Sequence, residues 1–240
     1  MKTICFLPWG YPSMERSAEI AACYLEAGCD AIEIGIPPRD AYLDNEYLRG
    51  VMRRAYEQCP DPLVYLEDIR AFAKAHPETE LLLLLYDETI RAIGAQRLTA
   101  FCRELRIDKL VSGDLKDPAL LDELRRGGLF KSSGTGWSMP EEAVQNCLGD
   151  GGFVYLRAAL TPGETPRPGC ETLAGCVRHL REAGVTRPIY CGMGIHAPAD
   201  AAAAREAGTD GCFVGSSIVK LVDQPRELIE TIRSYCAAAK

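Results

Sequence analysis

Three groups of residues in this chain have types and spacings suited to chemistry. The first is Glu33, set in the apolar run Ala31-Ile32-Glu33-Ile34-Gly35-Ile36-Pro37. Strand alternation puts Ala31, Glu33 and Gly35 on one face and Ile32, Ile34 and Ile36 on the other. The isoleucines suit a face packed under helices. Glu33, between two small neighbours, then points toward space that a ligand can fill. A carboxyl group there is desolvated, which raises its pKa and suits proton transfer near neutral pH. The same acid would serve equally well as the buried partner of an internal Arg or Lys, so the residues alone leave both readings open.

The second group is a pair of glycine loops, Tyr190-Cys191-Gly192-Met193-Gly194-Ile195 and Val214-Gly215-Ser216-Ser217-Ile218-Val219. Glycine lets backbone come close to a ligand. A short helix opening at Ser216 would aim free N–H groups at an anion. Together they predict a phosphate-binding rim; two tight turns are the plainer alternative. The third group is a scatter of loop residues. Asp44 follows Glu33 by eleven positions, and Arg39, Asp40, Glu46, Asp87 and Asp114 are ordinary solvated side chains unless the fold gathers them. Trp9 and Tyr11 either line an aromatic pocket or cap the core.

These residues need elements to position them, and the chain alternates short apolar runs with helical stretches. Strands are expected over residues 4–9, 31–36, 80–86, 109–112, 128–132, 153–157, 188–191 and 211–214. Helices are expected over 14–27, 47–58, 62–76, 90–105, 118–126, 140–147, 171–183, 198–207 and 225–238. The fifth strand is short and half polar, and residues 134–137 after it read as an irregular loop. Eight strand–helix units in 240 residues imply one parallel sheet closed into a (β/α)8 TIM barrel, a single domain over residues 1–240. Active sites of that fold lie at the C-terminal ends of the strands. Glu33, Tyr86, Arg157 and both glycine loops all fall there.

Composition narrows the function classes. The net charge of −7 and the absence of a basic stripe argue against nucleic-acid binding. The longest apolar run, Leu81 to Tyr86, is far below the ~20 residues that span a bilayer, so no membrane segment is expected. The start of the chain does not read as a secretion signal. Eleven cysteines occur singly, with no C-x-x-C pair, and read as reduced thiols of a cytoplasmic protein. Three scattered histidines predict no metal site.

Three blocks of the chain resemble the tryptophan synthase alpha chain family. Phe6 to Pro12 (F-L-P-W-G-Y-P) is similar to that family's first strand and loop. Asp30 to Asp44 (D-A-I-E-I-G-I-P-P-R-D-A-Y-L-D) resembles its D-A-L-E-L-G-I-P-F-S-D-P-x-x-D segment without a gap, and is the most specific of the three. Gly192 to Lys220 resembles its G-F-G-I-S … G-A-D-G-V-V-V-G-S-A-I-V-K ending. The resemblance implies a TIM-barrel lyase of tryptophan biosynthesis. It would cleave indole-3-glycerol phosphate to indole and glyceraldehyde 3-phosphate by a retro-aldol step without a cofactor.

By the same resemblance Glu33 matches the general acid–base, and Asp44 the acid that holds the indole N–H. Gly163, Gly194, Gly215 and Ser216 match phosphate contacts, and Phe6, Tyr86 and Tyr155 match pocket-lining positions. A beta-type subunit is the implied partner. The chain also departs from the pattern. Asn45-Glu46 replaces Gly-Pro after the second acid, Tyr11 stands where the family has a partner-facing acid, and Glu164 replaces a phosphate-contacting glycine. An acid at Glu164 would repel phosphate if it faced the site. Loops change substrates while a scaffold persists, so two other outcomes stay open: a barrel lyase or isomerase for another phosphorylated substrate, and a non-catalytic ligand-binding barrel.

Overall fold

A computed structural model describes all residues, Met1–Lys240. Nine parallel strands form one sheet: β1 (Lys2–Pro8), β2 (Ala31–Gly35), β3 (Glu80–Leu84), β4 (Lys109–Val111), β5 (Phe130–Lys131), β6 (Ser133–Thr135), β7 (Val154–Arg157), β8 (Ile189–Gly192) and β9 (Gly211–Val214). Their order is β5-β4-β3-β2-β1-β9-β8-β7-β6. The two ends of that order, β5 and β6, are one stretch of chain interrupted at Ser132. Lys109 and Leu110 of β4 pair with β5, and β6 pairs with Val154 to Leu156 of β7. The Ser132 N–H donates to Leu110 O (2.7 Å) and the Ser133 N–H to Phe153 O (3.3 Å). The interrupted strand thus joins both neighbours and closes an eight-position (β/α)8 barrel.

Two expectations are corrected. Residues 134–137 are not wholly irregular, because Ser133 to Thr135 form β6; a sequence of Ser, Gly and Thr gives no apolar signal for a strand. Residues 90–105 are not one helix. Two helices, Asp87–Ile93 and Ala95–Glu104, meet at Gly94, whose φ of 82° and ψ of 136° lie outside any helical geometry. The other predicted elements are present with ends shifted by a few residues at most. Helix α1 (Met14–Glu26) and helix α2 (Glu46–Gln58) flank the loop regions nearest Glu33.

Alternation along β2 sorts its residues as the sequence implies. Ile32, Ile34 and Ile36 belong to the large helix-facing core with Cys5, Leu7, Leu81 and Leu83. Ala31 lies inside the barrel in an apolar layer with Ile4, Leu82, Phe153, Tyr190 and Phe213. That layer plugs the lower barrel and leaves the C-terminal mouth open. Trp9 is fully buried outside the barrel, with its Nε1–H donating to Asp68 (2.7 Å) and its ring set edge-on to Phe72. It is a core residue and does not line the cavity at the barrel mouth.

Candidate active site

Glu33 occupies the middle of β2, level with Phe6 of β1 and Leu82 of β3. It is 4% exposed, and its Oε1 is wholly buried without a hydrogen-bond partner. No Lys or Arg pairs with it, which removes the reading of Glu33 as half of a buried ion pair. Burial, with a smaller contribution from the charge of Asp44, pushes its carboxyl up to about 8. The space beside Gly35 is not left for a ligand. A Cβ there would lie 2.8 Å from the Phe6 ring and 3.1 Å from the Met52 methyl.

Asp44 reaches the same cavity from the loop after β2. Its Oδ2 accepts the Tyr86 hydroxyl (2.9 Å), and that hydroxyl oxygen in turn accepts the Leu43 N–H (3.2 Å). Burial raises the Asp44 pKa and the Tyr86 hydrogen bond opposes the rise. Asn45, which replaces the family's glycine, is the N-cap of α2: its side chain accepts the Leu48 N–H (3.0 Å). The cap fixes the chain directly after Asp44, so this departure from the family pattern keeps the acid in position.

Both acids line a cavity of about 850 Å³ at the barrel mouth, a size suited to a small-molecule ligand. Phe6, Tyr86, Tyr155, Gly194, Gly215 and Ser216 line it too. Tyr155 is half-buried and stacks on Phe213 with ring centroids 5.0 Å apart. A Cβ on Gly192 would fall 2.1 Å from the Tyr155 hydroxyl, so this glycine exists to admit that side chain. Gly194 packs against the loop after β7, where a Cβ would meet Ala159 at 2.8 Å. Ser216 opens a single helical turn, Ser216–Val219, with Gly215 before it. The first N–H groups of a helix have no acceptor inside it.

Gly163 is not part of the lining. It sits in an exposed turn with φ of 82° and open space where a side chain would be. Its neighbour Glu164 does line the cavity but is engaged with the protein. One carboxylate oxygen accepts the Ser138 N–H and hydroxyl (both 2.9 Å), and the other accepts the Thr161 N–H (3.2 Å). These bonds, the Ser138 N–H foremost, pull its pKa down to about 2. Glu164 therefore ties the loop after β6 to the loop after β7. Asp87 and Asp114 stay out of the cavity. Asp114 Oδ1 accepts the Asp87 N–H (3.0 Å) and the Ser112 hydroxyl (3.2 Å), and its Oδ2 accepts the Tyr42 hydroxyl (3.1 Å). Asp40 pairs with Arg49 at the surface.

The wall that sequence reasoning missed is the interrupted strand. Atoms of Lys131, Ser132, Gly134 and Thr135 line the cavity, as does the exposed His196 at its rim. The available signal was the half-polar composition of residues 129–135, which suits a strand with one face on a polar pocket rather than a weak strand.

Comparison with known proteins matches this architecture. A family model described as the tryptophan synthase alpha chain matches residues 1–239. The tryptophan synthase alpha chain of Aliivibrio fischeri is 29% identical over 246 aligned positions, covering 98% of this chain and 90% of that protein. That of Klebsiella pneumoniae is 27% identical with the same coverage. Among solved structures, tryptophan synthase subunit alpha of Legionella pneumophila superposes with a TM-score of 0.85 at 20% identity, covering 99% of this chain and 92% of that one. Tryptophan synthase of Mycobacterium tuberculosis in its aminoacrylate-bound form gives 0.83 at 20% identity, covering 100% and 93%. At such identities the superpositions speak for the fold, while the match along the whole sequence speaks for descent. The chain belongs to the tryptophan synthase alpha chain family, a family of carbon–carbon lyases of tryptophan biosynthesis.

Proposed function

We propose that the chain cleaves indole-3-glycerol phosphate to indole and glyceraldehyde 3-phosphate, with Glu33 as the acid–base and Asp44 as the group that holds the ring. The observation that carries this reading is the pairing of a buried, unpartnered Glu33 carboxyl with Asp44 across one cavity at the barrel mouth. A carboxyl pushed up to about 8 holds its proton near neutral pH. Glu33 gives that proton to ring carbon C3, which breaks the aromatic system and puts positive charge on the ring nitrogen. Asp44, held by Tyr86, accepts the ring N–H and stabilises that charge. Glu33 then takes the proton of the side-chain hydroxyl. The bond between C3 and the side chain breaks, the aldehyde forms and indole regains its aromaticity. The proton count balances, and Glu33 ends as it began.

The phosphate is assigned to Gly194, Gly215 and Ser216. Their support is the open backbone at the start of the short helix and the position of both loops on one side of the mouth. Glu164 does not oppose this assignment, because its carboxylate is turned to Ser138 and Thr161. A beta-type subunit remains the proposed partner, with the exposed Leu43 (48%) and Met193 (60%) at the mouth offering apolar surface. No helix is long and apolar enough to cross a membrane, and a cytoplasmic location goes with this reading.

The test is release of indole from indole-3-glycerol phosphate by the purified chain. Glu33→Gln and Asp44→Asn should each lower turnover by about a hundredfold or more. Folded wild-type protein that binds glycerol 3-phosphate but releases no indole would overturn the proposed reaction.

A further inference from the structure

Arg157, at the end of β7, is the cavity-lining cation that the barrel turns inward. Along β7, Val154 and Leu156 belong to a helix-facing core with Val144 and Leu180, whereas Tyr155 stacks on Phe213 inside the barrel. Arg157 shares the parity of Tyr155 and stands level with Gly192 of β8. Lys131, by contrast, is level with Leu110 of the helix-facing core, so its side chain heads away from the cavity. The Arg157 guanidinium is half-buried, and its Nη1 donates to the Thr161 hydroxyl. The nearby Glu164 carboxylate is taken up by Ser138 and by the Thr161 N–H. Nε and Nη2 of Arg157 bond to no protein atom and are not sealed off from solvent. Burial raises the Tyr155 pKa and the Arg157 charge opposes the rise, in keeping with a guanidinium on the cavity side of the strand. The chain just beyond Arg157 packs on the loop assigned to phosphate. The Ala158 N–H donates to Gly192 O (2.7 Å), and a Cβ on Gly194 would lie 2.8 Å from the Ala159 Cβ. A phosphate monoester carries about two negative charges near neutral pH. Here it enters a cavity lined by Asp44 and Glu164, in a chain of net charge −7, where the backbone of Gly194 and Gly215 offers only dipoles. A guanidinium edge with two free donors matches two phosphate oxygens.

We propose that Arg157 is a specificity-determining residue whose Nε and Nη2 grip the phosphate of the substrate from the β7 side, opposite the backbone contacts at Gly194, Gly215 and Ser216. This rests on the reading of those loops as the phosphate site and adds to them a charged, two-pronged side-chain contact. Arg157 selects for the phosphorylated end of the substrate and takes no part in the proton transfers at Glu33.

Calorimetric titration of the full chain with glycerol 3-phosphate and with indole tests it, in the wild type, Arg157→Gln and Arg157→Lys. Glycerol 3-phosphate should bind Arg157→Gln about tenfold or more weaker than the wild type, with Arg157→Lys in between, because lysine keeps the charge and loses the fork. Indole should bind all three proteins alike. Added salt should weaken glycerol 3-phosphate binding more in the wild type than in Arg157→Gln. Unchanged glycerol 3-phosphate affinity in Arg157→Gln would overturn the proposal, and so would an indole affinity that falls as far, which would make Arg157 a support of the loops only. Should Arg157→Gln fail to fold, Arg157→Lys decides: wild-type affinity for glycerol 3-phosphate there overturns the two-pronged contact. Failure of the underlying reaction is distinguishable. Indole release from indole-3-glycerol phosphate with phosphate binding indifferent to Arg157 sinks only the Arg157 contact, whereas Arg157-dependent binding of glycerol 3-phosphate without any indole release sinks only the reaction.

Discussion

Glu33, which we propose as the acid–base of the site, also burdens the fold. Its ordinary pKa of 4.5 rises to about 8 in the folded protein, chiefly through burial. Below the lower value both folded and unfolded chains hold the proton, and nothing is lost. Between the two values the unfolded chain has released a proton that the folded chain keeps, so stability falls as pH rises and levels off above about 8. The full effect is on the order of 5 kcal/mol. Glu33→Gln should therefore be more stable than wild type at alkaline pH, with the gap closing toward acid; urea unfolding across that range measures it. A pH-independent gap would contradict the assignment. Tyr86 offers a second residue-scale prediction. Tyr86→Phe removes the hydroxyl that Asp44 accepts, worth about 1.5–3 kcal/mol for a charged acceptor. The Asp44 pKa should rise further, moving the acidic limb of the kcat/KM profile to higher pH and lowering kcat/KM about tenfold or more.

Single elements succeed or fail here on one residue. β8 ends on Gly192, and only the missing Cβ lets the Tyr155 hydroxyl lie where it does, since an added Cβ would sit 2.1 Å from it. Gly192→Ala should push Tyr155 off its stack on Phe213, cost about 1–3 kcal/mol of stability and raise KM more than it lowers kcat. Chemical unfolding and steady-state kinetics separate those effects, and unchanged values in both would refute the packing argument. α2 depends on Asn45 in the same way, because its cap decides where the helix starts and hence where Asp44 is held.

The whole molecule is one sheet that draws strands from Lys2 to Val214, and we propose that its 240 residues form one domain. Its packing is uneven. Trp9 belongs to a cluster of 41 buried residues, whereas Trp137 packs on one of only 11, beside the interrupted strand β5–β6. Local stability follows buried apolar contact. In single-tryptophan variants, fluorescence from Trp137 should change at a lower denaturant concentration than fluorescence from Trp9. Superimposable curves would show that the break at Ser132 does not weaken the closure.

Much of this protein was fixed by local pattern. Apolar runs and helix caps gave the strand–helix alternation, and alternation along residues 31–36 gave the inward direction of Glu33, because side-chain direction in a strand has a period of two. The glycine spacing marked, for a similarly local reason, two loops that line the cavity. Tertiary structure decided the rest. Whether Glu33 had a cationic partner depended on residues distant in sequence, and none meets it. Gly35 looked like room for a ligand, yet Phe6 and Met52 fill it from other elements. Glu164 looked like a charge opposed to phosphate, yet Ser138, twenty-six positions away, turns it aside. Residues 129–135 looked like a poor strand until the closed barrel put Ser132, Gly134 and Thr135 on the cavity wall. Local sequence determines which way a side chain points; only the assembled fold determines what it finds there.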